Sequence, residues 1–388
     1  MLLNIARTGF LVACLLSASK VSDSENIQDI KAPADKEVTV LFAGDIMQHG
    51  PQITAAWNDS LKEYDYSSCF QYVTDIVSGY DIAIANLELT LAGEPYTGYP
   101  QFSAPDELAV AVKNAGFDIL ATANNHSCDS GDKGIIRTAH VIDSLAIMRT
   151  GTFYDSTDYK SRHPLMIESN EITIALLNYT YGTNGLPFNY PAMVNLIDRD
   201  KIVADLAYCK SLNPDFIIIY YHWGNEYETQ QNTHQEELAR LSIENGADAV
   251  IGSHPHVIQP FVYTASTDSL GRNNLVVYSL GNFVSNQRDR NRDGGAMVGF
   301  KLSKTWNRTT LTDPVYHLTW VYTPTENNKR QYYILPINDP NINQEMSWED
   351  QHKRAQFIND SRERLNNKPG SLPEAPFVST DNLETPEP

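Results

Sequence analysis

Between residues 38 and 300 the chain alternates between two textures. Short β-branched, almost wholly apolar runs are Val38–Phe42, Asp81–Ala85, Asp118–Ala121, Ile172–Asn178, Asp215–Tyr221, Asp248–Ile251 and Leu275–Ser279. Runs of that length bounded by polar residues predict strands buried on both faces. Between several of them lie longer stretches with helical spacing and readable ends. Ser103-Ala-Pro-Asp-Glu opens one that Gly116 closes, Asp198 opens one that stops before Pro214, and Thr233–Asn245 is closed by Gly246. Strands alternating with helices predict an α/β fold with helices on the faces of its sheets. After about residue 296 the texture changes. Met297–Leu302, Val315–Tyr322 and Gln331–Ile337 read as strands without intervening helices, and Trp348–Asn366 as a final polar helix.

The polar residues between these runs are concentrated where the strands end. Asp45 follows the first strand, with His49 four residues on. The second runs into Asn86 and Glu88, and the third into Asn124, Asn125 and His126. Later strands run into His222-Trp-Gly-Asn-Glu226, His254-Pro-His256 and Gly281-Asn282. Ligands of open α/β sheets bind at the carboxyl ends of strands. Taken singly, each residue has a plain explanation: a turn for Asp45 or Asn124-Asn125, a satisfied interior histidine for His222, a solvated charge for Glu226. Their joint occurrence at six strand ends predicts one shared site. The set offers nitrogen and oxygen but no thiolate, which suits Mn, Fe or Zn in a working site and not a structural zinc. It holds more ligands than one tetrahedral ion uses, and a pair of divalent ions would employ them.

Charge narrows the function. Lys and Arg total 29 against 48 Asp and Glu in 388 residues, a net charge of −19. Such a surface repels a phosphate backbone, so nucleic acid is not the expected partner. It also disfavours docking on anionic lipid, leaving an N-terminal lipid anchor as the one expected membrane contact. Residues 1–19 read as a secretory segment: Arg7, the apolar Gly9–Leu16, then Ser17-Ala18-Ser19. Leu11-Val-Ala-Cys14 matches a lipobox, so a lipid-anchored form, a cleaved soluble form and an unprocessed buried segment all stay open. Either export reading places the protein in the cell envelope. Residues 20–37 read as a tether, 38–300 as the main domain, 301–366 as appended strands and a helix completing it, and 367–388 as a disordered tail. Cys69, Cys128 and Cys209 form no C-x-x-C and encode no disulfide framework.

Six motifs in order resemble the poly-gamma-glutamate capsule synthesis (CapA) family, itself similar to calcineurin-like metallophosphoesterases. They are Gly44-Asp45, Asn86-Leu-Glu88, Asn124-Asn125-His126, His222-Trp-Gly-Asn-Glu226, Gly252-Ser-His254-Pro-His256 and Gly281-Asn282-Phe283. The resemblance implies a metallophosphoesterase-like four-layer sandwich, two mixed β-sheets packed face to face with helices outside. It implies one ion held by Asp45, His49, Glu88 and His256, and another by Glu88, Asn125, His222 and His254. His126 would act as acid at the leaving group, and Asp45 would belong to the catalytic centre. Asn86, Asn124, Glu226, Asn282 and Arg288 would contact substrate or support the ligands. Two departures stand out: His49 lies four residues after the first Asp where an acid two residues on is usual, and Glu88 stands where the wider superfamily has Asp.

Two functions follow as expectations. One is an exported metal-dependent hydrolase of a phosphoester or polymer amide. The other is a non-catalytic surface protein that binds or guides an anionic polymer within a capsule synthesis complex. A further segment, Asp289-Arg-Asn291-Arg-Asp293-Gly294, matches half of a calcium loop, but its twelfth position is Phe300 instead of Glu. Two readings of this segment stay open: its arginines Arg288, Arg290 and Arg292 reach over the site toward a carboxylate or phosphate, or, as the interleaved Asp289 and Asp293 favour, it is a solvated charged loop.

Overall fold

A computed structural model describes residues 36–265, 273–306, 308–326, 328–339, 346–366 and 369–376. The proposed export segment with Cys14, most of the tether and most of the tail lie outside these residues. The principal strands, in chain order, are β1 (Lys36–Ile46), β2 (Ile82–Leu87), β3 (Ile119–Ala121), β4 (Met148–Thr150), β5 (Leu165–Ser169), β6 (Ile172–Thr180), β7 (Phe216–His222), β8 (Ala249–Ser253), β9 (Phe261–Thr264), β10 (Asn274–Val277), β11 (Asn282–Val284), β12 (Gly294–Thr305), β13 (Arg308–Tyr322) and β14 (Tyr333–Pro336). They form two large mixed sheets. One runs β14-β13-β12-β1-β2-β3-β4 with β11 also beside β1; the other runs β9-β10-β8-β7-β6-β5.

Four of the buried parallel strands, β2, β3, β7 and β8, are locked into register by the aspartate just before them. β2 starts opposite Val40, and Asp81 takes the preceding N–H, that of Thr39, at 2.8 Å. Asp118 does the same for Ala83 N (2.9 Å), Asp215 for Thr173 N (2.8 Å) and Asp248 for Ile217 N (2.8 Å). A shorter strand would otherwise leave these donors unpaired. The Asp that opens each run in the sequence is therefore a register pin, with no part in the chemistry at the far end.

The alternation of side chains along the strands builds the layers. Val38, Val40 and Phe42 of β1 join Ile174, Leu176, Ile218 and Ile251 of the other sheet in one central core. The opposite face of the first sheet (Leu41, Ala43, Ala83, Ala85) packs on Leu108 and Val112 of α1 (Asp106–Asn114) and on Ile142 of α2 (Gly131–Ser144). The opposite face of the second (Leu177, Ile217, Ile219, Val250) packs on Ile202 and Leu206 of α3 (Arg199–Ser211) and on Leu238 of α4 (Thr233–Glu244). The order is helix, sheet, sheet, helix, and burial on both faces explains why these strands read as unbroken apolar runs.

Two features are set by pairing between distant parts of the chain. The segment past residue 294 is built into the first sheet: β12 pairs antiparallel with β1 from Lys36↔Lys304 to Ala43↔Met297. The final helix α5 (Trp348–Asn366) buries Phe357 and Leu365 against the same core. The run toward Asn282 is also not one strand. β10 ends at Val277 in the second sheet, whereas β11 pairs parallel with β1 in the first, Asp45 opposite Asn282. Gly44 permits this crossing, because a Cβ there would strike the carbonyl of Gly281, which accepts the Asp45 N–H at 3.0 Å.

Candidate metal centre

The carboxyl ends of β1 and β2 in one sheet and of β7 and β8 in the other converge. Asp45, Asn86, Glu88, His222, His254 and His256 are all buried there, and cross-sheet contacts join them. Asn86 Nδ2 donates to Asp45 Oδ1 at 2.8 Å and lies 3.3 Å from His222 Nδ1. The His254 N–H approaches Asp45 Oδ2 at 3.4 Å. His256 places Nδ1 3.4 Å from Asp45 Oδ2 and Nε2 3.7 Å from Glu88 Oε1. His222 Nε2 stands 3.6 Å from that same Glu88 oxygen and 2.8 Å from Asn125 Oδ1.

Three groups of potential ligand atoms lie mutually within 4.8 Å: Asp45/Glu88/His256, Glu88/His222/His254 and Glu226/His254/His256. Glu88 belongs to the first two, in the position of a bridge. The first holds three of the four residues that the resemblance assigns to one ion, and the second, with Asn125 beside His222, corresponds to the other. Glu226, exposed, joins at the rim. His49 belongs to none of these groups. Its Nδ1 accepts from Asn286 N at 3.3 Å and its ring packs edge-on against Phe102.

The protonation of the cluster suits a cation. Burial, reinforced by His254 and His256, holds His222 well below the ordinary histidine value. Burial followed by His256 brings His254 to about 3, despite Asp45. Neutral imidazole is the form that ligates a metal. Burial first, and then the charge of Asp45, pushes the Glu88 carboxyl well above its usual range. Both Glu88 oxygens and His254 Nδ1 are buried without a hydrogen-bond partner. An unpaired buried carboxylate costs several kcal/mol in a typical protein. A divalent cation among these atoms removes that cost, so the residues fit a metal ion.

The backbone also holds these groups under constraint. His254 and His256 both occupy positive φ, +97° and +57°, which aims two imidazoles from one short turn into the cluster. Two supporting contacts fix ring orientation, Ser253 Oγ to His222 Nδ1 at 3.0 Å and Asn282 Oδ1 to His256 Nδ1 at 3.1 Å, and Asn124 Nδ2 donates to the Leu87 carbonyl at 2.7 Å. Asn124 thus braces the loop and holds Asn86 (3.3 Å), while its neighbour Asn125 faces His222.

His126 lies beside this cluster. Its Nδ1 is 2.7 Å from Asp129 Oδ2, which also accepts the Phe102 N–H at 2.6 Å. Asp129 escaped the sequence reading, although a carboxylate three residues after a candidate acid was the available signal. The ring of Tyr181 lies against that of His254, centroids 4.5 Å apart.

The three arginines of the 288–292 loop are placed differently from one another. Arg288 donates to Val321 O at 2.6 Å and lies over Trp320. Arg290 forks onto Asp360 of α5 at 2.6 and 2.7 Å. Arg292 lies 4.3 Å above the ring of Tyr227, which in turn lies 6.1 Å from the His256 ring.

Comparison with known proteins gives consistent likenesses. A profile of the family described as "Bacterial capsule synthesis protein PGA_cap" matches residues 39–287. The chain is 27% identical to the capsule biosynthesis protein CapA of Bacillus anthracis, over 79% of this chain and 73% of that one. It is 28% identical to the PGA biosynthesis protein CapA of Bacillus subtilis, over 76% and 75%. Among solved structures, the NAD nucleotidase of Haemophilus influenzae is similar at TM-score 0.45 and 10% identity, over 84% of this chain but only 56% of the nucleotidase. The calcineurin-like phosphoesterase YfkN of Bacillus subtilis is similar at TM-score 0.39 and 11% identity, over 85% and 98%.

Proposed function

The chain belongs to the PGA_cap family of bacterial capsule synthesis proteins, and from that premise we propose that it is an exported, metal-dependent hydrolase of the cell envelope acting on a phosphoester. A polymer amide is the second candidate bond. One observation carries the reading: Glu88 presents two buried, unpartnered oxygens between His222 and His256. Asp45, Glu88 and His256 would hold one divalent ion, and Glu88, Asn125, His222 and His254 a second.

A bound ion supplies Lewis-acid polarisation of the substrate and acidifies water. The chain's own residues do the rest. Asn86 orients Asp45, Asn282 orients His256 and Ser253 orients His222. With Nδ1 directed to Asp129, His126 keeps Nε2 for handing a proton to the departing oxygen. Phe102 presses on the same imidazole, with ring centroids 4.5 Å apart, and limits its rotation. His49 shares that aromatic wall and would shape the site beside the two ligand sets.

Metal content measured by mass spectrometry and turnover of a generic phosphodiester test the reading. We expect bound Mn, Fe or Zn and hydrolysis that a chelator abolishes and His126→Ala depresses. A folded protein that binds no metal and shows no chelator-sensitive turnover overturns it.

The names of the relatives, which speak of biosynthesis, favour a second reading: a non-catalytic protein that guides an anionic polymer in a capsule synthesis complex. Polymer binding that survives Asp45→Ala and His256→Ala supports this reading over the first. Anchoring through a lipid on Cys14 belongs to the same proposal, and no helix among the described residues is long and apolar enough to cross a membrane.

A further inference from the structure

Of the three loop arginines, two are tied into the fold and the third is paired only with an exposed neighbour of its own loop and the face of an aromatic ring. Arg290 is forked onto Asp360, and Arg288 is tied to the Val321 carbonyl. Arg292 is held by the face of Tyr227 and by an ion pair with Asp289, whose side chain is 74% exposed. An exposed ion pair of this kind is weak and exchangeable.

The backbone of Arg292 is nonetheless fixed relative to the metal centre. Asn282 Nδ2 donates to the Arg292 carbonyl at 2.9 Å, and the Oδ1 of the same Asn282 contacts His256 Nδ1 at 3.1 Å. One amide therefore joins the arginine's backbone to a candidate ligand. The turn is braced from α5 as well, by Arg364 on Asn291 at 3.3 Å and by the Arg290–Asp360 pair. A guanidinium on a rigid turn, with an exchangeable partner, is arranged for bidentate capture of an incoming anion.

We propose that Arg292 is a specificity-determining residue that binds a second anionic group of the substrate, a carboxylate or phosphate beside the bond being cleaved, displacing Asp289. This rests on the reading of the cluster as a metal centre and deepens it. It also answers the charge problem. A chain of net charge −19 repels anions at long range, but a guanidinium joined to the cluster through Tyr227 and His256 adds local positive charge on that side of the site.

The test uses the Mn-loaded full chain. Two 4-nitrophenyl phosphodiesters are compared, one with a plain phenyl group and one with a carboxyphenyl group. Glutarate and inorganic phosphate are titrated calorimetrically in parallel. Arg292→Ala is expected to raise KM for the carboxylated ester about tenfold, the scale of one charge-assisted contact, with kcat and the plain ester changed less than about twofold. Arg292→Lys is expected to recover part of the loss. Asp289→Asn, which removes the competing anion, is expected to tighten both the carboxylated ester and glutarate. Phosphate binding weakened in Arg292→Ala with glutarate unaffected assigns the subsite to phosphate, and the converse to carboxylate.

Equal losses on both esters, anion affinities unchanged in Arg292→Ala, or an Asp289→Asn that weakens binding as much as Arg292→Ala would overturn the proposal. If neither ester is turned over by the unmodified protein, the hydrolase reading fails by itself. The calorimetry then decides this one: anion binding lost in Arg292→Ala sustains it, and unchanged binding overturns it.

Discussion

The Nδ1 atom of His126 lies 2.7 Å from Oδ2 of Asp129, and both side chains are almost wholly buried. The pair fixes which imidazole nitrogen is left to face a substrate. Asp129→Asn removes the charge while keeping the size. If His126 serves as acid, the variant loses about 10- to 100-fold in kcat on esters with poor leaving groups, within the usual range for acid catalysis. It loses little on a 4-nitrophenyl ester, whose leaving group needs no proton. A uniform loss across leaving groups, measured by steady-state kinetics, would assign Asp129 to loop structure instead.

Glu88 makes a prediction about metal and stability together. Its carboxyl group is buried among Asp45, His222 and His256 with no hydrogen-bond partner. Glu88→Gln is therefore expected to leave the metal-free protein as stable as before, or more so. The rise in Tm on adding Mn, which mass action gives to any ligand of the native state, should be largely lost. Differential scanning calorimetry with and without Mn checks both halves, and an unchanged rise in Tm would remove Glu88 from the ligand set.

Gly44 lets β1 approach the Gly281 backbone, and no side chain fits there. Gly44→Ala must push β1 from β11, so Asp45 and Asn282 separate. Overpacking of this kind typically costs about 1–3 kcal/mol. Urea unfolding should show that loss, and metal affinity should fall as well although no ligand has been changed. Unaltered stability with unaltered metal binding would show that the strands can shift at no cost.

His317 gives a pH dependence remote from the metal centre. Burial lowers its pKa from 6.5 to about 4, with Glu374 opposing, and Nε2 meets the Tyr80 hydroxyl at 3.1 Å. The unfolded chain binds the proton first as pH falls. The native state is accordingly favoured above pH 6.5 and loses that advantage as pH drops to about 4. The shift corresponds to a few kcal/mol as an order of magnitude. His317→Gln keeps an acceptor for Tyr80 and should flatten the stability profile between those pH values in urea titrations. A profile as steep as that of the unmodified protein would assign the acid limb to other groups.

Much of the fold was legible because its strands are buried on both faces and its helices carry explicit ends. The run at 216–221 could hardly be anything but a central strand, and helix α3 begins where Asp198 caps it, its side chain accepting the Lys201 N–H at 2.9 Å. The cluster of ligand types at strand ends was legible for the same reason: strand ends are local, and so are the residues that follow them. Asp129 and Ser253 were not. Each acts through a histidine, and only the folded chain shows which polar neighbour points at which ring. His49 shows what spacing alone leaves undecided: the sequence places it four residues after Asp45, and only the fold shows its ring against Phe102 and its Nδ1 facing the Asn286 N–H.

The sequence by itself determined the alternation of elements, the polar ends of the strands and the chemical types gathered there. Those follow from periodicity and local chemistry, which a linear chain carries in full. Tertiary structure decided how the two sheets face each other, that the chain passes from the second sheet at β10 to the first at β11, and that β12 lies against β1. It also decided the different partners of three neighbouring arginines: the Val321 carbonyl for Arg288, Asp360 for Arg290, and Asp289 with the Tyr227 ring for Arg292. These depend on contacts between residues tens to hundreds of positions apart, and there a carboxylate's role is set by what the rest of the chain brings next to it.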